Sequence, residues 1–94
     1  ARRGIASYRY DDRGTAQSAT STTMVLRSAV GFADDALIGA TIMQTGGTNS
    51  PQMARITDYV GSTDTATVAS WPNGTPGGTI TYVVTITNAG PSPA

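Results

Sequence analysis

Ninety-four residues at 9.6 kDa make one small domain, and at this size only about three-fifths of the surface of the unfolded chain can be buried. Arg supplies all 6 cations and Asp all 6 anions, with Lys, Glu, His and Cys absent. That excludes a disulfide framework, a thiolate nucleophile, an imidazole base and a Cys/His zinc site. Zero net charge and a pI near 6.2 give no electrostatic reason to expect nucleic acid or an anionic membrane as partner.

The remaining composition favours strands. Sixteen Thr and 8 Ser stand beside 11 Gly, while the residues that populate surface helices are scarce. The chain reads as all-β, a small antiparallel barrel or sandwich of about five to seven strands with an extended N-terminal arm. Aromatic residues make up 6% of the chain, so the core must rest on Val, Ile, Met and a few rings. Help from further copies of the chain is expected for so thin a core.

Residues 1–21 hold four Arg and two Asp with no sustained period of 2 or 3.6 and are read as the arm. Its flat rings and forked guanidinium donors are the groups enriched at protein interfaces, so Arg3, Tyr8, Arg9, Tyr10 and Arg13 are the candidate partner-contacting residues. Asp11 and Asp12 cancel half of the arm's charge, which argues against nucleic acid. The β domain is placed at residues 22–88. In its first strand Met24 and Leu26 share one face, and in the second Ala40, Ile42 and Gln44 alternate with Thr41, Met43 and Thr45. GGTNSP at 46–51 predicts a turn, with Pro51 ending any ladder. Strands at 54–60 and 63–70 flank Gly61-Ser62, predicting a tight hairpin with a positive φ at Gly61. WPNGTPGG then turns the chain. In the strand at 79–87, Ile80, Tyr82, Val84 and Ile86 line the predicted core face and Thr79, Thr81, Thr85 and Thr87 the other. AGPSPA at 89–94 reads as a tail.

Few residues carry chemistry. Asp34-Asp35 could begin a calcium site but lacks the alternating acids of such a loop, and an Asx-type turn or a cap on a short helical turn is the ordinary reading. Asp58 and Asp64 could approach across the hairpin, yet so small a chain has little room for a cleft around them. Ser and Thr lack a base, and no phosphate-loop pattern exists. Trp71 before Pro72 is either a core plug or a ring for stacking a sugar. No catalytic residue, metal or cofactor is expected.

Several stretches in succession carry a resemblance: DDALIGATI at 34–42, a Gly-rich turn followed by Gln52, ARITDYVGSTDTATV at 54–68, a Trp soon after, and TYVV at 81–84. Together they resemble a small module recurrent in virion structural proteins of tailed bacteriophages, with TNSP at 48–51 where that module usually has Gly and Ala. The resemblance covers roughly half the chain and implies a non-enzymatic piece of a phage particle. The leading expectation is a capsid decoration, or cement, protein on the capsid surface of the virion. It would bind the outer surface of the major capsid protein and stabilise the shell, as a homo-oligomer with a trimer favoured, and without nucleic-acid or membrane partners. A domain of a tail or head fibre protein is the second expectation. A small carbohydrate-binding module using Trp71 is the third.

Overall fold

The computed structural model describes residues 8–88, with the backbone alone for 8–10 and 87–88. Seven strands form in chain order: β1 (Tyr8–Thr15), β2 (Ser18–Ala19), β3 (Thr23–Val25), β4 (Thr41–Thr48), β5 (Gln52–Val60), β6 (Thr65–Val68) and β7 (Gly77–Asn88). Every pairing is antiparallel, in the order β1-β7-β4-β5-β6-β3-β2, and the sheet curls into a half-barrel. The all-β expectation holds, and no helix occurs among the described residues.

Two chain segments turn the corners of this curl. β5 pairs with β4 through Gln52–Arg55 and with β6 from Ile56 onward. Residues 35–40 take the flank that β4 vacates, through Asp35 N–H to Tyr59 O (3.0 Å), Gly39 N–H to Ile56 O (2.8 Å) and Ile56 N–H to Ala40 O (2.8 Å). At the second corner, Ala16 N–H donates to Ile80 O and the next amide, Gln17, to Val25 O, both at 2.8 Å, so the chain passes from β7 to β3 within one step. Strands that change sheets in this way let a small sheet wrap around a single core.

That core collects the apolar faces read from alternation. Met24, Leu26, Ile42, Ile56, Val68, Ile80, Tyr82 and Val84 are buried together with Leu37 from the long loop. Each side chain of this size stabilises the fold by about 1.5–3 kcal/mol when fully buried. Trp71 closes one end at 5% exposure, its Nε1 donating to Thr23 O at 3.4 Å. It is a core plug, and its ring face is unavailable for stacking a sugar.

Local expectations are corrected at four places. β4 runs on to Thr48 through the predicted turn, although its register against β7 shifts at Gly46 and Thr48. Gly47 makes this possible: it has φ +97°, and a Cβ there would lie 2.6 Å from Gly77 O. The bend is left to residues 49–51, with Asn49 at φ 72°. At the β5–β6 hairpin, Val60 pairs with Thr65, and the positive φ belongs to Asp64 (56°) rather than to Gly61. Gly61 is small for another reason, since a Cβ there would lie 2.6 Å from Phe32 O. Third, Asp34 neither caps a helix nor closes its own turn; its carboxylate accepts the Gly61 N–H at 2.7 Å and ties the long loop to the hairpin. Fourth, the stretch read as an arm contributes β1 and β2, and β1 pairs with β7 over eight consecutive residues. Residues 1–7, Arg3 among them, and the tail at 89–94 lie outside the described residues.

Candidate partner-binding surface

The convex face of β1, β7, β4 and β5 is built by the residues that alternate with the core. Register sets Arg13 opposite Val83, Val83 opposite Met43 and Met43 opposite Met53, a row across four strands. The neighbouring row runs Asp11, Thr85, Thr41, Arg55. Met53 is 53% exposed, an unusual position for a large apolar side chain. Thr45 and Thr81 share a hydroxyl hydrogen bond at 2.8 Å beside this row, on the wall of a shallow groove that continues to Arg13 and Thr15. Arg13 reaches back to Asp11 at 3.6 Å. The face therefore carries short Thr side chains, a thioether row and opposite charges near its margin. The Thr side chains lose little rotamer freedom on contact, and the Met side chains adapt their shape to the surface they meet, which suits a protein partner.

Of the five predicted contact residues, the structure places Arg13 on this face at the edge strand. Tyr8, Arg9 and Tyr10 lie in β1 opposite Asn88, Thr87 and Ile86. Met43, Met53 and Arg55 were not singled out in the sequence. Their strands were legible, but the register that aligns them was not.

Behind the face, two polar networks fix its ends. Asp12 is buried against β7, and its carboxylate accepts Arg27 Nη2 (2.8 Å), Arg27 Nε (3.2 Å) and the Tyr82 hydroxyl (3.0 Å). The Tyr82 oxygen in turn accepts the Arg27 backbone N–H at 3.0 Å. Arg27 reaches Asp12 by lying over Gly14, where a Cβ would come within 2.7 Å of its stem. Tyr82 is pushed up to about 12, first by burial and then by the Asp12 charge, against the opposing pull of Arg27. At the other end Gln44 and Gln52, paired across β4 and β5, are buried side by side. Gln52 donates to Gln44 Oε1 (2.7 Å) and Gly74 O (2.8 Å) and accepts the Asn73 N–H (2.7 Å), while Gln44 donates to Gly46 O (3.0 Å) and Thr48 O (2.8 Å). The Gln that follows the Gly-rich turn thus fastens the 71–76 loop to the β4–β5 turn. Its role is structural.

Asp12 is saturated by donors, Asp34 is committed to Gly61, and among the described residues no three acidic side chains converge. No protein-family model, curated protein or solved structure matches this chain.

Proposed function

We propose that this chain is a virion structural protein of the capsid-decoration kind, binding the outer surface of the major capsid protein and stabilising the shell. The observation that carries the reading is the row Arg13, Val83, Met43, Met53, held in register across four strands, with Arg13 and Met53 exposed and Val83 and Met43 half-buried. The succession of motifs quoted above supplies the phage context. Binding across a joint between shell subunits adds contact that must be lost before the shell opens, so stabilisation follows from mass action and from repeated sites. Arg13 belongs to this face, Tyr8, Arg9 and Tyr10 precede it in β1, and with Arg3 they are the residues proposed to contact the capsid; a homo-oligomer would multiply the surface.

The test is binding to purified shells. Removing residues 1–21 would also remove β1, so truncation after residue 7 and Met53→Asp are the informative variants. Both should lower shell occupancy at least tenfold while the thermal melt is nearly unchanged, because Met53 is exposed. Full occupancy with both changes together would sink the reading. If the intact polypeptide in purified particles is much longer, the fibre-domain alternative takes its place.

A further inference from the structure

The two ends of the sheet differ. β2 is an edge of two residues, too short to template another strand. β1 is an edge of eight residues, with an unbroken register against β7 and without the Pro or bulge that usually blunts such an edge.

Its hydrogen-bonding side follows from one bond. Ala16 N–H donates to Ile80 O, continuing the register that pairs Thr15 with Thr81. Bonded pairs alternate along an antiparallel ladder, so Gly14, Asp12 and Tyr10 also exchange bonds with β7, and the N–H and C=O groups of residues 9, 11, 13 and 15 point away from it.

We propose that two copies of this chain pair antiparallel along β1 about a two-fold axis through Asp12, joining their sheets into one. A second copy brings a matching charge pattern, because Asp11 and Arg13 exchange places across the two-fold axis. This register sets Asp11 opposite the partner's Arg13 and Arg9 opposite the partner's Thr15, each twice by symmetry: four bonded pairs and hence eight N–H···O bonds. The next symmetric register, centred on Asp11, gives three bonded pairs and six bonds, and it opposes Asp11 to Asp11 and Arg9 to Arg13. Opposite charges facing across strands stabilise and like charges destabilise, so bond count and charge select the same register. At the axis the two Asp12 residues face each other, each already neutralised by its own Arg27 at 2.8 Å. The pairing leaves the row from Val83 to Met53 uncovered. It is also independent of the capsid reading, and it specifies two copies where a trimer was expected.

Sedimentation of the full chain without shells tests it. The expected result is a dimer that dissociates on dilution. Asp11→Arg and Arg13→Asp should each weaken it at least tenfold, and the double exchange Asp11→Arg/Arg13→Asp should restore it, with circular dichroism verifying the fold of every variant. Arg13→Pro deletes an N–H that points away from β7 and should give a folded monomer. Amide exchange on the unaltered chain needs no variant: Arg13 and Thr15 should gain protection as concentration rises. A monomer at all concentrations, a trimer, or a dimer indifferent to single charge reversal would overturn the proposal, and none of these results bears on shell binding.

Discussion

Tyr82 and Tyr59 sit in the two halves of the curled sheet and make an internal comparison. Both are 1% exposed, and burial pushes both up to about 12. Tyr82 in β7 donates to Asp12 and accepts the Arg27 N–H, so its hydroxyl locks β1 to the sheet. Tyr59 in β5 packs edge-on against Phe32 (ring centres 6.2 Å apart, 86° between planes), and its hydroxyl has no hydrogen-bond partner among the described residues. One phenol is a fastener and the other a filler with a desolvated oxygen. Equal burial and equal upward shifts thus conceal opposite contributions, because a buried polar group left without a partner costs at least as much as a made hydrogen bond contributes.

The largest expected effect treats both alike. The folded-state values near 12 lie above the unfolded value of 10.0, so the stabilisation is complete below about pH 10 and is lost as pH rises toward 12. Each phenol accounts for roughly 3 kcal/mol of that loss. Urea unfolding from pH 8 to 12 measures it, and each Tyr→Phe change should remove about half the dependence. A flat profile would contradict the shifts. Next is Gln52→Ala, which breaks three hydrogen bonds in the neutral network and should cost about 4 kcal/mol, with no dependence on salt because no charge is involved. Tyr82→Phe should cost about 2 kcal/mol, lowering Tm by about 10 °C in a domain of this size. Smallest, and opposite in sign, Tyr59→Phe should stabilise by about 1 kcal/mol. A loss of stability in Tyr59→Phe would show that its hydroxyl has a partner and would end the comparison.

Much of this fold is legible in the sequence. Alternation assigned the inward face of β7, where Ile80, Tyr82 and Val84 are buried and Ile86 is half-buried, and it separated the two faces of β3 and β4, of which those carrying Met24, Leu26 and Ile42 are the buried ones. β1 was hidden because Tyr10, Asp12 and Gly14 do not form an apolar series. What buries Asp12 is a hydroxyl 70 positions away, and no local window contains it. Alternation also put Gln44 on one face with Ile42, yet its pairing with Gln52 depends on a register set by the turn between them. β5 conceals Tyr59 similarly: a register shift between Ile56 and Asp58 puts residues three apart on the same inner face. For the candidate surface, the outward Thr positions and Arg13 could be read directly. The alignment of Met43 with Met53 could not, because only cross-strand register creates it.

The pairing of Tyr8 with Asn88 has an architectural consequence. Partners in an antiparallel ladder have Cα atoms about 5 Å apart, so the polypeptide comes in and goes out at one spot on the molecule. A unit with that geometry can be spliced into an exposed loop of a larger host without prying the host apart. The same seven strands are thus equally suited to standing alone and to riding as an insert within a longer protein.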